Sequence, residues 1–493
     1  MLQTLKNAWR TKDIKSKIIF TLFILVLYRI GTVIPVPFVN ASDFNNTIQS
    51  QGTILSYLDI LSGGSLANAT VFALGVSPYI NSSIIIQLLA VVFPRLGEIA
   101  KEDKDKMNFI TRIVTVILSV VTALGYYFLL RNNGALTHAA TPGNTNLAWF
   151  YGIAIVACYV AGASVIMWLA ERINERGIGN GISMILFANI VSTIPKLIMD
   201  LGTVVVRTFK YDTKVWLYSS IAIIFALAVL AYLFATVVFI VWVTGSERRI
   251  PVQYAKRVVG RKMYGGQSSN IPLKLNMTGV MPVIFASSIV SLVPTILALC
   301  GVTGEGKGFW NWLTRFLAAD GFVYPTLLFV LIIAFAYFYT QITFDPTEVS
   351  NNLKKQGGAI PGIRQGRPTA DYIRKILGKV TLVGALFLGI IAVLPVILGP
   401  HVMHHIIEWL VTPFCEPYLE ANGTFDIYHY FGITIDPATK ASMIAEQAEN
   451  FASSYTSTFT FGGTSILIIV GVAIETFREL EAQLTMRNYK GFL

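Results

Sequence analysis

The sequence predicts an all-α integral membrane protein, and three observations carry that prediction. Only 13% of the 493 residues are charged and 54% are hydrophobic, whereas soluble domains carry about 25% charged residues. Ten uncharged or nearly uncharged stretches lie near the length that a bilayer core requires, roughly 20 residues of helix. Finally, Lys and Arg alternate between the connecting segments. Of the 38, 29 fall in or at the edges of the segments on one side, eight on the other, and Arg29 within the first span. The basic side is cytoplasmic by the positive-inside rule, which puts both termini inside.

Taken in order, the first expected span is 18–37. Met1–Lys17 before it is polar and basic, and no cleavable leader is expected there. A short apolar segment, ILSYLDIL (Ile54–Leu61), then leads into Gly63-Gly64 and a second span at 72–93. That segment is too short to cross and reads as a re-entrant or interfacial piece. The second span carries Gly75, Pro78, Asn81, Ser82, Ser83 and Gln87, which suit a water-filled or mobile interface better than lipid. Spans 110–130, 149–170, 181–199 and 216–244 follow. A long basic loop at about 245–276 precedes span 277–299, and a second, at about 345–379, separates spans 324–344 and 380–400. Both loops mix cations with Tyr, Pro and Gly. They either enforce topology or offer a firm basic surface to a phosphate-rich or acidic partner. The outer segment 401–458 precedes the last span, 459–475.

That outer segment holds seven acidic residues and one basic one. His401, His404, His405 and Glu408 recur at helical spacing within it, so it is either a set of metal-ligand pairs or a solvated acidic insertion, and the insertion is the expected reading. The three cysteines, Cys158, Cys300 and Cys415, give no zinc spacing and no disulfide framework. Cys300 and Cys415 would pair only if their segments met outside the membrane. No span carries Asp, Glu, Lys or His near its middle, and no phosphate loop, HExxH or GxSxG motif occurs. Arg29, towards the outer end of span 1, is expected to snorkel. Ion-coupled transporters keep ionisable or unwound sites at the midplane, so a passive, non-enzymatic conduit without metal or cofactor is expected. An inverted-repeat transporter of a small solute is the alternative.

The motifs SGG (Ser62–Gly64), FALGVSPYINSSIIIQLL, ERGIGNGISMILF (Glu175–Phe187), YAKR (Tyr254–Arg257), LKLNMTGVMPVIFASS, NNLKKQGGAIPGIR and FGGTSILIIVGV occur in this order along the chain. Together they closely resemble the SecY family, the channel subunits of bacterial protein-export translocons. The likeness covers nearly the whole chain; the long segment 401–458 departs from it. The resemblance implies two inverted, pseudo-symmetric five-helix halves, 1–200 and 201–493, closed like a clam shell around an hourglass pore. It implies an aliphatic pore ring of Val76, Ile80, Ile182, Leu186, Ile284 and Ile468. A plug at about 57–70 would include Tyr57, Leu58, Ile60, Leu61, Gly63, Gly64 and Leu66, marginally stable and weakly seated. A lateral gate between spans 2–3 and 7–8 would carry Ser82, Ser83, Gln87, Thr278, Ser287 and Ser288. Asn180 would cap span 5 or join a polar contact near that gate.

The same resemblance implies docking of the ribosome or the motor ATPase SecA on Arg257, Arg261, Lys262, Lys354, Lys355 and Arg364. Contact with ribosomal RNA is compatible with those cations, and DNA is not an expected partner. SecE, SecG, secretory preproteins, their signal sequences and membrane lipid complete the implied partners, in the bacterial cytoplasmic membrane. An aliphatic ring suits such a substrate. Its contacts are weak and non-directional, about 0.1–0.2 kcal/mol per atom pair, so it closes on any side chain, and when empty it dewets and blocks ions.

Overall fold

The computed structural model describes residues 2–40, 59, 62–132, 134–137, 148–211, 216–254, 257–259, 262–264, 268–299, 308–317, 321–409, 412, 440–446, 448–449, 452 and 462–490. Tyr57, Leu58, Ile60, Leu61, Arg261, Cys300, Cys415 and most of 401–458 lie outside them.

Each of the ten expected spans falls on a helix. After a short amphipathic α1 (Leu2–Arg10), span 1 is α2 (Lys12–Gly31) and span 2 is α3 (Ser77–Val92). Residues 72–76, expected to be helical, instead form turns. Gly75 has φ +57° and Pro78 occupies the first turn of α3, where its fixed φ and missing N–H favour a helix start. Pro94 then opens α4 (Pro94–Glu102), and the axis bends by 117° at that break. Spans 3 to 6 are α5 (Lys104–Asn132), α6 (Ala148–Arg176), α7 (Gly181–Tyr211) and α8 (Trp216–Gly245). Spans 7 to 10 are α9 (Met281–Leu299), α11 (Val323–Thr343), α13 (Arg367–Leu398) and α14 (Gly462–Lys490), with the short α10 (Phe309–Phe316) between α9 and α11. Five of these regions are long and apolar enough to cross a bilayer on their own composition; Gly181–Pro195 and Met281–Val293 are shorter apolar runs.

The expected class holds, and within it the two basic loops are ordered. Strand β1 (Glu247–Tyr254) pairs antiparallel with β4 (Ser268–Lys274), from Glu247↔Lys274 to Gln253↔Ser268. At the tip β2 (Arg257–Val259) pairs with β3 (Lys262–Tyr264). The second basic loop contributes α12 (Pro346–Lys355) and β5 (Gly358–Ala359), which adds to the free edge of β1. Alternation in ERRIPVQY turns Ile250 and Val252 inward. They bury with Leu273, Leu353, Ile360 and Ile373 in a core of their own. The two loops therefore form one folded body.

Within the membrane region, the main core draws on α2, α3, α6, α7, α8, α9, α11, α13 and α14. A second core lies between 62–76, α5 and α6, with Leu66, Ala67 and Ala73 against Tyr126, Leu130 and Tyr159. At the opposite end α14 ties the halves together. Glu479 Oε2 accepts from Gly179 N at 2.9 Å, and the adjacent Arg478 Nη2 donates to Thr244 O at 2.9 Å. Lys17 Nζ adds a bond to Gln483 Oε1 at 3.2 Å.

Candidate pore, stopper and seam

All six candidate ring residues join the main core. Val76, Ile80, Leu186, Ile284 and Ile468 are buried in it, and Ile182 packs half-buried against it. They come from the start of α3, the first turns of α7 and α9 and the N-terminal half of α14, so both halves contribute. The start of α7 is fixed by polar capping, as the GIGNG pattern suggests. Asn180 Oδ1 accepts from Ile182 N at 3.1 Å, and Asn174 Oδ1 accepts from Gly181 N at 2.7 Å. Asn180 thus caps the helix.

The described part of the candidate plug is held by many short-range bonds. Asp59 Oδ1 accepts from Ala67 N at 2.8 Å, Ser62 Oγ from Leu66 N at 3.1 Å, and Ser65 Oγ donates to Ser62 O at 2.9 Å. From α5, the Tyr126 hydroxyl donates to Leu66 O at 2.5 Å. Backbone bonds from Val36 N to Ala69 O and from Val71 N to Ile34 O, both 3.0 Å, join this segment to the chain after α2. Glycine at 162 in α6 lets the backbone close in, since a Cβ there would lie 1.9 Å from Val71 O. These bonds anchor residues 62–76 to α5, α6 and the chain after α2.

Arg29 does not snorkel. Its Nη2 donates to Ala188 O at 2.7 Å and to Asn189 O at 3.4 Å on α7. Gly63 sits directly on this pair: a Cβ there would lie 2.9 Å from Asn189 Oδ1 and 3.0 Å from Arg29 Nη1, and its φ is +70°. Arginine near a span end reads as a headgroup ligand in sequence. Only the fold brings α7 carbonyls, which can satisfy the guanidinium, within its reach.

At the candidate seam, Gln87 of α3 bridges to the second half. Its Oε1 accepts the hydroxyl proton of Tyr339 on α11, while its Nε2 donates to Ser83 Oγ at 2.9 Å. Tyr339 also packs on Phe285 of α9, ring centroids 5.0 Å apart. Neither aromatic stood out in the sequence, where spans of this kind are full of Phe and Tyr. Ser82 faces a different neighbour. It is buried, and its hydroxyl lies 2.5 Å from Thr115 Oγ1 of α5, inside the first half. Ser287 donates to Ile284 O of its own helix at 2.9 Å, Ser288 O accepts from Ser291 Oγ at 3.1 Å, and Thr278 lies half-buried in the turn before α9. Of the six candidate gate residues, Gln87 is the one whose side-chain bond to the opposite half is described.

The candidate docking cations other than Arg261 sit on the body formed by the two basic loops. Arg257 pairs with Tyr264 and Lys262 with Val259 in the hairpin tip. Lys354 and Lys355 are exposed at the end of α12, and Arg364 is exposed in the turn after β5. Asp345 caps α12, accepting from Thr347 N at 2.8 Å, and this bond holds its carboxyl below the usual carboxylate range. Among the described residues no group of three or more His, Cys, Asp or Glu is placed to hold a metal ion. His401 Nδ1 lies 3.2 Å from Ile397 O, and His405 is 3.6 Å from Glu408.

Comparison with known proteins gives one consistent result. The sequence profile of the SecY family matches residues 70–411. The protein translocase subunit SecY of Streptomyces galbus is 38% identical over 506 residues, covering all of both chains, and that of Mycobacterium tuberculosis H37Rv is equally similar. Among solved structures, one described as a protein-conducting channel superposes with a TM-score of 0.57 at 16% identity, covering 95% of this chain and 92% of the other. A structure concerned with the plug domain of SecY gives 0.56 at 17% identity, with the same coverage. At such identities the structures speak for the ten-helix clam-shell fold, while the full-length sequence identity speaks for descent. The chain belongs to the SecY family.

Proposed function

We infer that the protein is a channel that conducts unfolded polypeptides across a membrane. The observation that carries this is the convergence of six aliphatic residues from both halves on one apolar core, beside the anchored glycine-rich segment 62–76. Such a collar fits a substrate that presents every side-chain type in turn, because it offers no fixed donor or charge to trap any of them. Full-length relatives carry the name protein translocase subunit, in a family of channels rather than enzymes. The small-solute transporter finds no support among them.

The finer assignments belong to the same reading. The first half is 1–200 and the second 201–493. Val76, Ile80, Ile182, Leu186, Ile284 and Ile468 form the waist, the segment from 57 to 70 closes it from outside, and α3 parts from α9 and α11 to release apolar segments into lipid. The membrane is the bacterial cytoplasmic membrane, with both termini inside. SecE and SecG accompany the chain, and SecA or the ribosome docks on the basic body. A similar fold has been solved as Sec61 in a canine ribosome–channel complex, TM-score 0.54, which supports the ribosome as one partner. Energy comes from these partners. The test is depletion of the protein in its own cell: unprocessed secretory precursors should accumulate. Normal export together with loss of uptake of one solute would overturn the reading.

A further inference from the structure

The helix α10 lies in the connection between spans 7 and 8, a region that the channel reading leaves without a role. Its sequence is FWNWLTRF, and Phe309, Trp312 and Phe316 recur at three- and four-residue spacing, so they share one face. They form a continuous aromatic ridge: Phe309 and Trp312 ring centroids are 6.0 Å apart, and Trp312 and Phe316 are 5.0 Å apart, both stacked. The ridge faces away from the protein, with exposures of 65%, 54% and 44%, whereas Leu317 just past the helix end is buried.

Two further observations say what covers it. The helix packs on α9, and six residues, 317–322, separate it from α11. Six residues reach at most about 20 Å, so α10 stays at the surface from which both spans emerge. The flanks of those spans beside it are also apolar and exposed, with Val293 and Ile296 on α9 and Leu327 and Val330 on α11. Phe322, tilted against His401 with ring centroids 5.1 Å apart, continues the aromatic belt towards the end of α13. Short helices with Trp and Phe on one face settle at the boundary between headgroups and acyl chains.

We propose that α10 is an interfacial anchor whose Phe309–Trp312–Phe316 ridge seats in the outer leaflet, holding the outer ends of α9 and α11 at fixed depth. This rests on the reading of the chain as a membrane channel. Because α11 carries Tyr339, the partner of Gln87, the anchor sits on the wall that has to move when the seam opens.

The test uses the full-length chain with Cys158, Cys300 and Cys415 replaced by Ser, in nanodiscs of phosphatidylethanolamine and phosphatidylglycerol. A spin label is placed on F316C and, separately, on F234C of α8, an exposed span position. Collision with oxygen reports lipid; collision with a water-soluble nickel chelate reports solvent. Both labels should favour oxygen several-fold, and adding F309S and W312S should shift the F316C label, but not the F234C label, towards nickel. The anchor is overturned if nickel wins at F316C while oxygen wins at F234C, if neither reagent reaches F316C (a polypeptide covers the ridge), or if F309S/W312S changes nothing. Nickel access at F234C would instead overturn the membrane reading itself, and the anchor with it.

Discussion

Glycine at 63 is where backbone conformation and membrane electrostatics meet. Its φ of +70° suits glycine, and any Cβ would strike the Arg29–Asn189 pair. Gly63→Ala should therefore displace the candidate stopper at a cost of about 1 kcal/mol or more. The expected result is a leak of ions through the resting channel in planar-bilayer recordings; conductance equal to wild type would refute the seating described here. Across the seam, Tyr339→Phe removes the one described bond from α11 to Gln87. Polar contacts between membrane helices are worth about 0.6 kcal/mol on average, so the effect should be small and in one direction. Segments of graded hydrophobicity should insert into lipid at a slightly lower threshold; a raised threshold would show that the bond assists opening. Neither Tyr339 nor the inward turn of Arg29 was legible in the sequence, because each is defined by a residue more than 150 positions away.

At the scale of elements, the extramembrane body was legible as two basic loops but not as one sheet. The alternation of Ile250 and Val252 is the signal, diluted by Pro251 and Pro272 inside the strands. Helix α12 presents Lys354 and Lys355 only while its first turn holds, and that turn depends on Asp345. The carboxyl titrates below its ordinary value because it accepts from Thr347 N. A lowered folded-state pKa stabilises fully above the unfolded value, about 3.9, and the contribution is lost as pH falls through the folded value. Amide protection across α12 should then be flat from neutral pH down to about pH 5 and fall only under stronger acid. Asp345→Ala should lose that protection at every pH and weaken the proposed docking of a partner on this body, while Asp345→Asn, which keeps an acceptor, should lose less. Equal protection in all three proteins would remove the cap from the account.

For the whole molecule, helix number and order were legible because hydropathy and charge alternation report them directly. Helix starts were not: Pro78 and Gly75 moved the beginning of α3 five residues inward. The ring is an expectation from family resemblance, and burial alone cannot single it out, since Ile24, Ile166 and Leu467 lie in the same core. Function can. Replacing Ile80, Ile182 and Ile284 together with glycine should give a leaking channel that still exports, and unchanged conductance would reassign the waist.

The bonds of Arg478 and Glu479 give α14 a mechanical meaning. Adjacent side chains on one rod grip the end of α8 and the turn before α7, and Ile468 rides on the same rod ten residues away, about 15 Å along its axis. At the hairpin base, Lys274 has its pKa lowered by burial and next by the nearby charge of Arg478, with Glu247 opposing the shift. Any slide of α14 along its axis would thus be felt together at Ile468, the candidate waist residue, and at the grips on Gly179 and Thr244.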